Sequence, residues 1–315
     1  MKKELDIVNN ILLNCKKVVL GKDEEMTNIL KGIISEGNVL IEDVPGVGKT
    51  TIVKAIAKSF NLDYSRIQFT PDIMPSDVTG ISVYNQKTME FEFKKGPVFC
   101  NILLADEINR TSPRTQASLL EAMEEGQVSD GNTTYKIEKP FCVLATQNPI
   151  EQDGTFLLPE AQLDRFIIKV NIGYPEKVHE MEIMKLYKDK EPLKSMIPVA
   201  TREDILFLQE QVKGIFAADE LMAYILDIVN LTRNNQNISI GVSTRGALAL
   251  LRISQAEALI DGRSYIIPED IRKNACMVLA HRIRLSYEAK INNYTANEII
   301  KNILNSIPVP RLRRC

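Results

Sequence analysis

Glu42-Asp43-Val44-Pro45-Gly46-Val47-Gly48-Lys49-Thr50-Thr51 (EDVPGVGKTT, 42–51) follows the apolar run Val39-Leu40-Ile41 and leads into the helix-forming stretch IVKAIAKSF (52–60). A strand, a turn of small residues and a helix in that order make a cradle for phosphate. The N–H groups of the turn converge on oxygen anions, and the helix N-terminus adds a favourable dipole. Gly46 and Gly48 let the backbone approach closely, Lys49 has the reach for β- and γ-phosphates, and Thr50 is placed to hold Mg²⁺. The common spacing has glycine at position 43, where this chain carries Asp43. That glycine mainly eases the turn out of the strand. Gly46 relieves the same turn from inside the loop, so Asp43 weakens the pattern match more than the physics. The cofactor-binding candidates are Pro45, Gly46, Val47, Gly48, Lys49, Thr50 and Thr51.

Binding alone is not catalysis. NILLADEINR (101–110) is a second apolar strand, ending in Asp106-Glu107. That ending places Asp106 for Mg²⁺, beside Thr50, and Glu107 for the attacking water. Phosphoryl transfer asks a protein mostly to position and neutralise, and an oriented carboxylate plus a metal is the expected equipment. A third apolar strand ends in VLATQNP (143–149), where the amides of Gln147-Asn148 are placed to orient the lytic water.

Working outward, short apolar runs alternate with helix-like stretches from Asn38 to about Ile172, as in a mostly parallel sheet with helices on both faces. Strands are expected at 38–43, 65–70, 101–106, 141–147 and 166–172. The runs VLI, ILLA and CVLA lack polar alternation and read as central strands. After Tyr174-Pro175 the pattern turns helical: REDILFLQEQVKGI (202–215), DELMAYILDIVNLTRNN (219–235), TRGALALLRISQAEALIDG (244–262) and PEDIRKNACMVLAHRIRL (268–285). Leu221, Ile225, Ile228 and Val229 fall on one packing face, and Leu248, Leu251 and Ala258 on another. Thr201 with Asp204 forms a helix-start signal. The expected division is residues 1–175 for an α/β core and 176–315 for an all-α second domain. Two stretches, 82–96 and 126–140, alternate around turn residues and read as β-hairpins inserted into the core.

The 315 residues suffice for about two domains. With 44% hydrophobic and 25% charged residues the composition is globular, and a net charge of -2 implies no nucleic-acid or anionic-membrane partner. Five scattered cysteines without CxxC spacing, and only two histidines, argue against a metal cluster and suit a reducing, cytoplasmic setting. No apolar run approaches the ~18 to 20 residues of a membrane helix.

Together, EDVPGVGKT (42–50), LLADEINR (103–110), LLEAMEEGQV (119–128), ATQNPIEQDGTFLLPEAQLDRF (145–166) and STRGALALL (243–251) resemble the AAA+ ATPases and, within them, the MoxR family. The similarity runs over about 38–260, and the helical tail agrees with that family's lid domain. The family's usual entrance to the phosphate loop is compatible with Asp43. The resemblance implies a P-loop αβα core with a parallel five-stranded sheet and a helical lid. It also implies Mg²⁺ and ATP as cofactors, with ATP sites between neighbouring subunits of a ring, commonly hexameric. It matches Asn148 to sensor 1, Arg245 to sensor 2 and Arg165 to the arginine finger offered to the next subunit, and it identifies the hairpins with inserts of this clade. Arg110 and Arg114, near the Asp106 strand end, are second-choice residues for that trans role.

The implied function is a ring-forming, ATP-hydrolysing chaperone or maturation factor for protein clients, commonly with a partner bearing a von Willebrand factor A domain. One alternative is a nucleic-acid motor gripping phosphates with Lys87, Lys94, Lys95, Lys136 and Lys139. Glu90, Glu92, Asp130 and Glu138 among those lysines speak against it. Another is the motor subunit of a metal-chelatase-type complex. The segment PDIMPSDVTGISVY (71–84) lacks the GAFTGA loop of transcription activators.

Overall fold

A computed structural model describes residues 2–42, 46–131, 133–148, 156–188 and 191–310. Two helices, α1 (Lys2–Lys16) and α2 (Asp23–Ile34), precede β1 (Asn38–Glu42), α3 (Lys49–Ser59) and β2 (Tyr64–Gln68). A short α4 (Pro75–Thr79) enters the hairpin β3 (Gly80–Asn85) and β4 (Glu90–Lys95), and then β5 (Ile102–Asp106) and α5 (Pro113–Glu125) follow. The second hairpin, β6 (Gln127–Asp130) and β7 (Thr133–Lys136), comes before β8 (Cys142–Gln147), α6 (Glu160–Leu163) and β9 (Phe166–Val170). The rest is mainly helical: α7 (Lys177–Tyr187), α8 (Pro192–Ser195), α9 (Arg202–Gly214), α10 (Asp219–Arg233), α11 (Thr244–Ile260), α12 (Pro268–Leu279), α13 (Tyr287–Ile291) and α14 (Ala296–Ser306). Between them a two-stranded ribbon pairs β10 (Ile238–Ile240) with β11 (Arg284–Leu285).

The five core strands lie in the order β2-β5-β8-β1-β9, every neighbouring pair parallel. Each starts and ends within two residues of the expected run. β5 is buried along its whole length and β8 nearly so, which is why these strands carry no polar alternation. In a parallel sheet the C-terminal ends share one edge, the usual place for a ligand crevice. The phosphate loop, Asp106-Glu107 and Asn148 therefore emerge side by side.

The lid carries its expected signals. Thr201 N–H donates to Asp204 Oδ2 at 2.9 Å and Asp204 N–H to Thr201 Oγ1 at 3.3 Å, closing a capping box at the start of α9. Leu221, Ile225, Ile228 and Val229 are buried. Leu248 departs from its expected face: it is 64% exposed, because α11 buries Ala247, Leu250, Ile253 and Ala258 instead. Its outward side therefore starts with Arg245 and Leu248.

One apolar cluster runs without interruption from the sheet (Val39, Ile41, Ile168) through α1 and α2 (Ile11, Ile29, Ile33) into the lid (Leu208, Leu250, Val278). Buried charge crosses the same seam. Lys31 of α2 meets Glu257 of α11, with both side chains under 4% exposed, and Glu257 also takes Lys273 Nζ at 2.5 Å and Asn274 Nδ2 at 3.1 Å. Gln209 Nε2 donates to the Ile33 carbonyl at 2.9 Å. Burial pulls the Lys31 ammonium below its ordinary pKa even against Glu257. Burial acts to raise the Glu257 carboxyl, yet Lys31, Lys273 and Asn274 outweigh it and leave it lowered. Among the described residues, no helix is long and apolar enough to cross a membrane.

Candidate active site

Gly46 and Gly48 both have left-handed backbone, φ +88° and +86°, and a Cβ on either would meet nothing within 4 Å. Glycine is needed there for the turn, and the space beside it is open to a ligand. Lys49 begins α3, whose N-terminus has no side-chain cap on Gly48, so its first N–H groups face the loop opening. Thr50 and Thr51 are half-buried in that first turn, while Val47 is buried and turned to the core. Asp43, Val44 and Pro45 lie outside the described residues.

A cavity of about 220 Å³ opens beside the loop, lined mainly by Val18, Val19, Val47, Ile52, Pro175 and Tyr187. Its walls suit the flat apolar faces of a nucleobase next to a phosphate cradle. Lys22 fastens one side by donating to the carbonyls of Ile172 and Tyr174. Nothing in the sequence flags these residues. They are ordinary apolar side chains from the α1–α2 link, the phosphate loop and the start of the lid, brought together by the fold.

At the neighbouring strand ends, Asp106 is buried and uses both carboxylate oxygens. Oδ1 accepts from Thr146 Oγ1 at 2.6 Å and Oδ2 from Arg66 Nη2 at 2.7 Å. Glu107 has left-handed backbone, φ +58°, a conformation costing a non-glycine residue on the order of 1 kcal/mol. Its N–H donates to Thr146 Oγ1 at 2.9 Å. One threonine hydroxyl thus orients both acidic residues. The Glu107 carboxylate accepts from Gln68 Nε2 at 2.8 Å and pairs with Arg110 Nε at 3.1 Å. Arg110 therefore serves its own site here, and Arg114 stands exposed on α5.

The third strand end differs in detail from the expectation. Gln147 does not face Glu107: its Nε2 donates to Glu42 Oε1 at 2.7 Å, while Lys169 holds Glu42 Oε2 at 2.6 Å. Asn148 is buried beside Asn109, whose Nδ2 donates to the Asn148 carbonyl at 3.2 Å. The residue missed in VLATQNP is Thr146. Alternation along β8 gives its signal, because it follows Ala145 at the register position beside Asp106.

Arg165 and Arg245 lie elsewhere. β9 pairs with β1 in the register Asn38↔Phe166, so Arg165 stands at the start of β1 and the phosphate loop leaves its end. A five-residue strand separates the two by ~16 Å. Arg165 pairs with Glu124 at 2.9 Å and donates to the Leu120 carbonyl at 2.7 Å. Arg245 reaches the other oxygen of the same Glu124, at the C-terminal end of α5. Both arginines thus share one acidic partner at the edge of the sheet opposite the phosphate loop.

The two hairpins pack on each other. Phe93 and Tyr135 stack with centroids 4.0 Å apart, and Ser82 bonds to Asp130. The far end of the first hairpin exposes Tyr84, Met89 and Phe91.

The donor set suits a magnesium nucleotide: a glycine cradle open to anions, an apolar cavity beside it, and a buried carboxylate already drawing a cation. The comparisons with known proteins agree. The profile of the ATPase family associated with various cellular activities (AAA) matches residues 38–168, and that of the AAA lid domain matches residues 230–303. The chain is 37% identical to Chaperone MoxR1 of Mycobacterium tuberculosis over 98% of this chain and 84% of that protein. The chain belongs to the MoxR family of AAA+ ATPases. It is also 49% identical to the uncharacterised protein YeaC of Bacillus subtilis over 93% of this chain and 92% of that one. The crystal structure of a proposed ATPase from Cytophaga hutchinsonii superposes with a TM-score of 0.91 at 39% identity, covering 98% of both chains. Family membership brings ATPase activity and nucleotide use in general, with a chaperone character.

Proposed function

We propose that this protein hydrolyses ATP to ADP and phosphate in a Mg²⁺-dependent reaction whose site is completed across a subunit boundary, and that it uses the energy to remodel or mature protein clients. The observation that carries the reading is the separation of Arg165 from its own phosphate loop by the length of a strand. An arginine so placed is useful to the reaction only in a neighbouring copy. Heterologous contacts of that kind close into rings, here taken as hexameric.

In this reading the loop N–H groups and Lys49 hold the triphosphate, and the cavity between Val18 and Tyr187 takes the base. Thr50 and Asp106 would hold Mg²⁺, whose charge offsets that of the β- and γ-phosphates. Glu107 accepts the proton of the attacking water and Asn148 fixes that water's orientation. Arg165 of the neighbouring copy neutralises charge developing on the γ-phosphate, a contribution worth ~10³ to 10⁵ in rate in related chemistry. Arg245, bound to the same Glu124, reaches the same neighbouring nucleotide. It is thus assigned to the subunit interface.

The chain is taken to work as a core, 1–175, and a lid, 176–315, in the cytoplasm. The exposed Tyr84, Met89 and Phe91 favour a protein client over a nucleic acid, and a partner bearing a von Willebrand factor A domain is the proposed associate. The test is complementation. Arg165→Ala and Lys49→Ala chains, each inactive alone, should regain part of the turnover when mixed, because each supplies what the other lacks. Two inactive variants that stay inactive when mixed, under conditions where they co-assemble, would refute the shared site. Glu107→Gln should abolish turnover while preserving nucleotide binding.

A further inference from the structure

We infer that the acidic end of α5 in one copy docks on the lysine row of α3 in the next, Glu121 and Glu125 meeting Lys54 and Lys58, and that this contact seats Arg165 at the neighbouring nucleotide. The inference rests on the shared site proposed above and names the surfaces that build it.

The two helices carry opposite signs. Beyond Lys49, the charged residues of α3 are Lys54 and Lys58, with no acid among them. They are four positions apart and so share a face, about 6 Å apart along the axis, a like-charge spacing that weakens a helix by itself. After Arg114, the charged residues of α5 are Glu121, Glu124 and Glu125, and its last turn holds no base. Carboxylates there face the negative end of the helix dipole. Glu121 and Glu125 repeat the four-residue spacing of the lysines with the opposite charge.

Neither set is neutralised within the chain. Arg165 and Arg245 take Glu124, whereas the exposed side chains of Glu121 and Glu125 have no hydrogen-bond or ion-pair partner among the described residues. A cavity of about 290 Å³ lies beside them, lined by the three glutamates, Ala117, Leu120 and Arg165. On α3 a larger cavity, about 570 Å³, is lined by Lys54, Lys58 and Lys194 among Leu62, Leu193 and Met196. Lys194 pairs with Glu191 at 2.9 Å, and Lys58 donates only to the Leu193 carbonyl at 2.8 Å. Half-buried Lys54 has no side-chain partner among the described residues. Two cations and two carboxylates are thus left over on the two helices.

Position selects the occupant. Arg165 lines the acidic cavity, and α3 begins at the phosphate loop, with Lys54 ~7.5 Å and Lys58 ~13.5 Å along the helix from Lys49. An arginine brought to the neighbour's γ-phosphate therefore carries the acidic end of α5 to the side of that neighbour's α3. The exchange also balances charge. When Arg165 and Arg245 turn to phosphate, Glu124 loses both partners, and a lysine of the next copy replaces them. A free small anion would fill the lysine cavity but leave the matching acids without a cation.

The test follows assembly of the full-length chain by sedimentation velocity with Mg²⁺ and ADP. One variant reverses the acids, Glu121→Lys with Glu125→Lys, and another the bases, Lys54→Glu with Lys58→Glu. Each alone should raise the concentration for half-assembly about tenfold or more, because like charges then face each other. An equimolar mixture of the two should assemble near the wild-type concentration, and so should the chain carrying all four changes, since every contact again joins opposite signs. Glu121→Lys and Lys54→Glu as single changes, which keep the Lys58 bond to Leu193 intact, should follow the same pattern with smaller shifts. Wild-type assembly by both reversed variants would overturn the inference, as would weakened variants that neither mixing nor the fourfold change restores. A loss confined to the lysine variants would also overturn it and assign those lysines to another anion. If the reversals have no effect while Arg165→Ala and Lys49→Ala still complement, only this docking fails. A wild type that stays monomeric with Mg²⁺ and ADP would sink the shared site and the docking together.

Discussion

Arg66 and Arg282 each meet an aspartate at nearly the same distance, 2.7 Å to Asp106 and 2.8 Å to Asp164. Their surroundings are opposite. Arg282 is 2% exposed and also donates to the carbonyls of Phe166 at 2.7 Å and Ile167 at 3.1 Å, tying the lid to the first residues of β9. Burial pulls its pKa down to about 10, with Asp164 opposing that shift, and the group stays charged at neutral pH. Arg66 lies half in solvent, and both of its partners, Gln68 and Asp106, lie at the C-terminal ends of β2 and β5. A buried pair with its donors engaged is costly to break, whereas a half-exposed pair exchanges partners at little cost. The lid seam is therefore the more firmly held joint, and the pair at the C-terminal edge of the sheet the more easily exchanged.

Lys31–Glu257 reinforces the contrast from the other side of the lid. With the seam held at both places, the proposed nucleotide-driven change would be more easily expressed at the strand ends than as rotation of a lid on its own core. Glu124 fits that division. It binds both Arg165 and Arg245 on a half-exposed surface, a pairing that, under the proposed function, a neighbour's phosphates would replace.

The largest expected effect lies at Arg165, the residue proposed to serve a neighbouring copy. Arg165→Ala should lower steady-state ATP turnover by ~10³-fold or more while leaving the thermal unfolding profile nearly unchanged. A loss of turnover matched by a loss of folding would make Arg165 a structural residue and erase the distinction. Next comes the seam: Arg282→Met should destabilise the protein by about 3–5 kcal/mol in denaturant titration, since a guanidinium only 2% exposed is removed from Asp164 and from the Phe166 and Ile167 carbonyls together. The same change at Arg66 should cost at most about 1 kcal/mol, and equal costs at the two sites would break the comparison.

Nucleotide binding gives the next effect in size. ADP with Mg²⁺ at a hundredfold excess over its Kd should add about 2.7 kcal/mol of stability, and Lys49→Ala should abolish most of that gain. Hydrogen exchange should slow around 46–52 and leave the Lys31–Glu257 seam unaltered. The smallest effect is acid sensitivity. Glu257 has a lowered pKa in the folded chain, so its contribution is complete above the ordinary carboxylate range and is lost as pH falls through the lowered value. Its slope is at most about 1.4 kcal/mol per pH unit for one proton. Comparing the acid limb of stability in wild type and Glu257→Gln isolates it, and identical limbs would remove Glu257 from the account.

Legibility in the sequence tracked how local each interaction is. The five core strands, both hairpins, the Thr201 cap and the glycine cradle all follow from neighbours within about ten residues, and each lies close to its expected place. The periodicity of α1 is present in Val8, Ile11 and Cys15, but it does not say which surface the helix covers. Leu248 shows the same limit, since an apolar residue at helical spacing lies outside once α11 is enclosed by its other faces. Gln147 was the conspicuous amide, yet Thr146 touches the acidic pair, a choice decided by which way alternate residues of β8 point.

By itself the sequence determined the glycine turn between β1 and α3, the strand ends bearing Asp106, Glu107 and Asn148, and the helical character after Pro175, because these depend on backbone preference and short-range periodicity. Only the tertiary structure decided that Arg165 and Arg245 gather on Glu124 a strand's length from the loop, that Arg66 occupies Asp106, and that Lys31 anchors the lid. Those contacts join residues 40 to 226 positions apart. Such pairings are set by strand order and register and by the packing of the lid helices, which no local pattern encodes.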